Sequence, residues 1–299
     1  MPAVIQTFFI PALFVWLWST GFIGGKYGLP YAEPFTMLGL RMLLTLLPLM
    51  LLAWIFRTRW PGWRGAGHLA VTGLLVHGVY LGGVFYAIDQ GMSAGVVSLI
   101  VGLQPLLTAL AAVLFLGEPV AGRQWLGLGL GLLGVALVLA EKLAAGSAEV
   151  PEIPPLTLVW AVLALLGISL GTVYQKRFGT GVDLVAGTMI QYAAAALFFG
   201  LGAWLLETGE IQWTAQFLWA LGWLVLGLSV SAILILMWLI RHGAASRVAS
   251  LFYLVPPVTA LEAWLLFDER LGPLAMTGGL VAITGVALVS VRPAVALRR

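Results

Sequence analysis

The same set of landmarks occurs twice in this chain, about 150 residues apart, and an odd number of apolar spans makes up each copy. Gly91, Ser98, Leu99, Pro105, Glu118 and the run Gly134-Val135-Ala136-Leu137-Val138 return as Gly243, Ser250, Leu251, Pro256 or Pro257, Glu269 and Gly285-Val286-Ala287-Leu288-Val289. A unit of five spans followed by its repeat places the second copy upside down in a bilayer. That is the inverted-repeat plan of secondary transporters, so the repeat itself predicts transport.

The span count rests on length. A hydrocarbon core about 30 Å thick takes roughly 20 apolar residues as a helix, and ten stretches qualify: about 7-26, 34-56, 66-88, 93-116, 123-141, 154-175, 183-206, 214-240, 245-267 and 273-291. Short separators with turn or charge signals divide them, such as Arg59-Trp60-Pro61-Gly62 and Gly117-Glu118-Pro119. The expected fold is therefore an all-α integral membrane protein of ten transmembrane helices in a 5+5 inverted-topology repeat. Its divisions are 1-145, a linker over 146-155, and 156-299.

Charge gives an independent check. With the N-terminus on one side, that side collects Arg57, Arg59, Arg64, Arg123, Lys176, Arg177, Arg241, Arg247, Arg292, Arg298 and Arg299, against Lys26, Lys142 and Arg270 on the other. Basic residues favour the cytoplasmic side, so both termini are expected in the cytoplasm. Hydrophobic residues make up 61% of the chain and charged ones 9%, and mean hydropathy is +1.04, which excludes an ordinary soluble domain. The basic excess is accounted for by topology, and no nucleic-acid partner is expected. The chain has no cysteine, and His68, His77 and His242 lack ligand spacing, so neither a metal site nor a cofactor is expected. The first apolar stretch has no basic residue before it and no small-residue cleavage pattern, which reads as a span and not a signal peptide.

Several short motifs carry a family resemblance: Trp18-Ser19-Thr20-Gly21 with Lys26, Pro34 through Arg41, and the Gly117-Glu118-Pro119 turn with its counterpart around Glu269. Together they resemble the drug/metabolite transporter superfamily, in particular the EamA-type ten-helix exporters that include YddG-like aromatic amino-acid exporters. The resemblance implies a bacterial inner-membrane, multi-pass protein with a central cavity lined by spans 1 to 4 and 6 to 9. It also implies export of small metabolites, often amino acids.

Polar groups at membrane depth are costly and are candidates for function. His77 lies at the middle of span 3, with Tyr80 on about the same face; an imidazole and a phenol there suit a polar substrate group or a proton, and equally a structural bond to a backbone carbonyl. Arg41 and Glu262 lie roughly 7 to 11 Å from the outer ends of spans 2 and 9, given a rise of 1.5 Å per residue. A pair between them would form an outer gate or a structural contact, and Arg41 alone would attract a carboxylate. Gln104-Pro105 and Pro256-Pro257 interrupt spans 4 and 9 at matching places, where proline frees carbonyls from the helix ladder. Trp18, Tyr253 and Ser229 complete the substrate-binding candidates with His77, Tyr80 and Gln104. Most other tryptophans, including Trp54, Trp60, Trp63, Trp125, Trp213 and Trp264, fall near span ends as an interfacial belt.

Glycines at small-xxx-small spacing, Gly21/Gly25, Gly78/Gly82 and Gly127/Gly131 with Gly134, mark close helix contacts. The last set suits an internal contact or a homodimer seam. The leading expectation is a secondary transporter exporting small metabolites, amino acids including aromatic ones, by alternating access through a midplane cavity. A flippase for lipid-linked sugars and a membrane-embedded lipid enzyme are the alternatives. The enzyme lacks any Asp-rich motif or His pair to support it, and a channel lacks a repeated polar filter loop.

Overall fold

A computed structural model describes residues 8–90, 97, 100–145, 155–242, 245–255, 257, 258, 261, 262, 265 and 272–290. Pro256, most of the 146-155 linker and the repeat landmarks Gly91, Ser98, Leu99, Gly243 and Glu269 lie outside them. The described chain is helical apart from its connections and one isolated β-bridge between Ala32 and Ile211. In chain order the elements are α1 (Ile10–Gly28), α2 (Pro34–Ile55), α3 (Trp63–Asp89), α4 (Gln104–Leu116), α5 (Gly122–Ala145), α6 (Pro155–Phe178), α7 (Leu184–Leu206), α8 (Ala215–His242), α9 (Ala245–Ser250) and α10 (Pro273–Ser290).

Among the described residues, α2, α3, the Thr157–Phe178 part of α6, α7 and α8 are each long and apolar enough to cross a membrane. Ile10–Gly21, Gln104–Leu116 and Met276–Val289 are shorter apolar helices. Helix ends follow local chemistry. Pro34 opens α2 at a position where its missing N–H costs nothing. The Asp183 carboxylate accepts from Val185 N at 2.9 Å to start α7, and the Thr214 hydroxyl accepts from Phe217 N at 3.2 Å to start α8. Gly117 closes α4 at φ 65°, a left-handed conformation that glycine adopts without strain.

Two features were not anticipated from the sequence. Within α3 the stretch Leu74–Val79 is π-helical, and within α8 the stretch Leu224–Ala232 is too. A π-bulge inserts a residue into a turn and is found mostly at functional sites, because it rotates the side chains that follow it. Within the span expected over 93-116, residues 102 and 103 form a turn where an interruption at Gln104-Pro105 is expected, and α4 begins at Gln104 with Pro105 in its first turn. After α9, Leu251–Leu254 forms a 3₁₀ turn.

Packing pairs α2 with α7 and α5 with α10 along their lengths, while α3 lies against α6 and α1 against α8. Glycine permits the closest approaches. A Cβ on Gly134 would stand 2.5 Å from Ala282 N and Gly278 O, and one on Gly127 would stand 2.6 Å from Gly285 O. Gly131 faces the Tyr253 ring. The glycine stripe of α5 is thus covered within the chain. At the membrane ends Trp54, Trp63, Trp204 and Trp219 are about four-fifths exposed, as an interfacial belt requires, whereas Trp18 is 7% exposed.

Candidate functional site

The π-helical stretches of α3 and α8 are held by equivalent glycine contacts. Gly171 of α6 faces Leu75 and Val76, and Gly167 faces Leu75 O; Gly21 and Gly24 of α1 face Leu228 and Leu224. Gly73 abuts the Gln191 backbone of α7. With no side chain between them, these helices bring the π-helical residues His77 and Ser229 toward the centre, next to α2 and α7.

A polar cluster forms there. Arg41 of α2 is 3% exposed and donates from Nε to Ser229 Oγ at 2.8 Å. Tyr192 of α7 packs its ring against His77 at 4.6 Å between centroids, tilted by 47°, and its hydroxyl faces Arg41 and Ser229 without completing a well-aligned hydrogen bond. Gln191 neighbours His77 and donates from Nε2 to Gln175 Oε1 at 3.0 Å. Tyr80 lies beside Arg41 and reaches Trp18 of α1. Trp18 in turn packs on Phe14 at 5.3 Å and edge-on to Phe252 at 5.2 Å. One cation, two phenols, an imidazole, an amide and a serine hydroxyl are therefore gathered from α2, α3, α7 and α8, with an aromatic wall supplied by α1 and Phe252.

Much of this polarity is unpaired. His77 Nε2, Gln191 Oε1 and the Tyr192 hydroxyl are buried without a hydrogen-bond partner. Buried polar groups in folded proteins are ordinarily bonded, and a membrane interior offers no bulk solvent to compensate. Unpaired atoms concentrated on one cation mark a place suited to a polar ligand or to water.

The expected residues divide accordingly. Trp18, Arg41, His77, Tyr80 and Ser229 come together. Gln104 is buried on α4 with both amide atoms unpartnered, and Tyr253, also buried with its hydroxyl unpartnered, packs on α5. The structure does not pair Arg41 with Glu262: Glu262 Oε1 meets Ser19 Oγ at 2.6 Å, while Oε2 is buried and unpartnered. Equal depth along two helices does not make two side chains face each other. Pro257 packs near Gly279 of α10. Tyr192 and Gln191 were not among the expected site residues, although Gln191 occupies the repeat position of Arg41.

Both ends of the bundle are tied. On the expected outer side, the Glu207 carboxylate accepts from Phe35 N and Thr36 N at 2.6 Å each and from Thr36 Oγ1 at 2.7 Å, and Glu33 accepts from Thr208 N, Thr208 Oγ1 and Gly209 N. A carboxylate is favoured at the N-terminus of α2, where free N–H groups carry positive partial charge. On the opposite side two cations meet helix C-termini, Lys176 Nζ donating to Ile240 O at 3.0 Å and Arg177 Nη1 to Phe115 O at 2.7 Å, and Arg241 Nη2 donates to Val182 O in the loop before α7.

Comparison with known proteins places this arrangement. The model of the EamA-like transporter family matches residues 5–140 and again residues 155–291. The uncharacterized transporter YvbV of Bacillus subtilis is 28% identical over 294 residues, covering 96% of this chain and 92% of that protein. A protein of Escherichia coli K12 named "Probable amino-acid metabolite efflux pump" is 27% identical, covering 92% of this chain and 91% of that one. A "Probable terminal-alkyne amino-acid exporter" of Streptantibioticus cattleyicolor is 32% identical over 211 residues, 67% of this chain and 65% of its own length. A crystal structure at 22% identity superimposes with a TM-score of 0.78, covering 95% of this chain and 96% of the other, which shows the shared fold.

Proposed function

The chain belongs to the EamA-like transporter family, and from that premise we propose that it exports amino acids, aromatic ones included, across the bacterial inner membrane. The family makes it a multi-pass membrane transporter of small molecules and not an enzyme. In the proposed cycle ten spans form two inverted halves, residues 1-145 and 156-299, that rock about a site between them and expose it to each side in turn. Support for the halves comes from the doubled family match and from the equivalent glycine contacts on the two π-helical stretches. Support for amino acids comes from the names of two relatives.

The observation that carries the reading is the buried cluster of Arg41, His77, Tyr80, Tyr192 and Ser229 with its unpaired polar atoms, drawn from both halves. Trp18 supplies an apolar wall beside it. In this reading Gln104 with Pro105 on α4, and Tyr253 and Pro257 after α9, line the approach to the cluster; the matching break at Pro256 lies outside the described residues. Glu262 with Ser19, and the Glu207 and Glu33 contacts, act as gate elements that must loosen when the outer side opens.

Proteoliposomes carrying the purified protein test this by counterflow of radiolabelled amino acids. The expected result is saturable exchange that competes with unlabelled aromatic amino acids. Absence of flux for every amino acid tried removes the substrate assignment and leaves a transporter of another small metabolite.

A further inference from the structure

Among the described residues, Arg41 is a buried charge without a counter-charge. Burying an isolated guanidinium costs several kcal/mol even after relaxation, and such groups persist where they are paired or where a ligand completes them. Its neighbours, Tyr80, Tyr192 and Ser229, are neutral, and no carboxylate pairs with it among the described residues. The other carboxylate at membrane depth, Glu262, is bonded to Ser19. Glu33 and Glu207 are committed to backbone N–H groups at the outer end.

The way Arg41 is held is also specific. A guanidinium presents five N–H donors in a rigid plane, and a carboxylate docks across two of its nitrogens. Ser229 occupies Nε, so the edge formed by Nε and one terminal nitrogen is blocked. Tyr192 approaches the guanidinium from α7, and among the described residues no carboxylate reaches its two terminal nitrogens, so the end they form is the one left for a planar, two-oxygen anion. Beside it the Tyr192 hydroxyl is unpartnered, so it can donate to an oxygen of that anion. On the other flank Tyr80 leads to Trp18, and Trp18 to Phe14 and Phe252.

From this geometry we infer that Arg41, oriented by Ser229, is the receptor for the carboxylate of the substrate, and that the Phe14, Trp18 and Phe252 rings take the apolar end of the same molecule. A single cation matches a monoanion. A phosphate dianion would leave one charge uncompensated in the same buried setting. The ligand class is a small monocarboxylate with an apolar or aromatic side chain; an amine of the same size lacking the carboxylate is excluded. The inference rests on the transporter reading for its physiological meaning, but binding is measured apart from flux.

Thermal denaturation of the full chain in detergent tests it, with 3-phenylpropionate, L-phenylalanine, 2-phenylethylamine and inorganic phosphate as probes. Ligands that bind only the folded state raise the melting temperature. The two carboxylates are expected to do so, and the amine and phosphate at equal concentration are not. Arg41→Gln should weaken the response to 3-phenylpropionate at least tenfold in the concentration required, with Arg41→Lys restoring part of it. Ser229→Ala keeps the charge and frees its orientation, so it should weaken the response severalfold, and it serves if Arg41→Gln does not fold. Protection by the amine as strong as by the acid overturns the inference, as does protection by phosphate or an unchanged response in both variants. Flux separates the two readings. Arg41-dependent protection without amino-acid flux retains the carboxylate site and removes the export assignment; flux insensitive to Arg41→Lys and Ser229→Ala does the reverse.

Discussion

The seam between α5 and α10 and the cluster around Arg41 are built on opposite principles. At the seam, Gly127, Gly134 and Gly285 bring backbones together so closely that a single added carbon would meet main-chain atoms at 2.5 to 2.6 Å. No polar side chain is needed at these positions, because dispersion between close helices supplies the attraction where lipid offers no hydrophobic drive. Around Arg41 the helices instead surround polar groups, and several of those are left unpaired. The seam is finished packing. The cluster keeps unpaired polar atoms, which is what the proposed transport site requires.

This contrast can be broken most sharply at the seam. Gly134→Leu is expected to cost about 3 kcal/mol, the upper end for overpacking, because backbone atoms of α10 cannot yield as a flexible side chain does. Thermal denaturation in detergent reads it, and a melting temperature equal to that of the natural chain would show that the seam is looser than described. At the outer tie between α2 and α7, Glu207→Gln exchanges charge-assisted bonds for neutral ones and should lower stability by about 1 to 2 kcal/mol. If instead it raises flux with little loss of stability, the tie is a gate and not a brace.

Within the cluster the balance reverses. His77→Ala is expected to reduce flux about tenfold, equivalent to about 1.4 kcal/mol, by removing the ring packed against Tyr192. Initial rates in proteoliposomes decide this, and an unchanged rate would place His77 outside the transport path. The smallest stability effect should come from Tyr192→Phe. Its hydroxyl has no partner to lose, so stability should stay within about 0.5 kcal/mol while carboxylate binding weakens. A larger destabilisation would mean that the hydroxyl is bonded in the resting protein after all.

What could be read from the chain depended on whether a property is local. Apolar length, the basic bias of one set of loops and the glycine spacings are each sums or spacings along the sequence, and they led to helices, membrane embedding and close contacts at Gly21, Gly127 and Gly134. The site was only partly legible. His77, Tyr80, Trp18, Arg41 and Ser229 stood out because polar or aromatic groups at membrane depth are expensive. Gln191 was visible only as the repeat counterpart of Arg41 and was not read as a site residue, and Tyr192 gave no signal in an apolar helix rich in alanine. The π-helical stretches also left no sequence mark, since proline and glycine patterns do not specify an extra residue per turn.

Arg41 and Glu262 show where the boundary falls. The sequence by itself determined an all-helical membrane chain, its resemblance to one transporter family, and the depth of each polar group, because depth follows from residue number at a fixed rise per residue. Only the tertiary structure decided which groups meet. Each residue turns about 100° around its helix axis, so facing depends on how every helix is rotated by its neighbours and on the two π-helical stretches that reset that rotation. Residue spacing puts the two at one expected depth, yet the packed bundle turns Arg41 to Ser229 and Glu262 to Ser19.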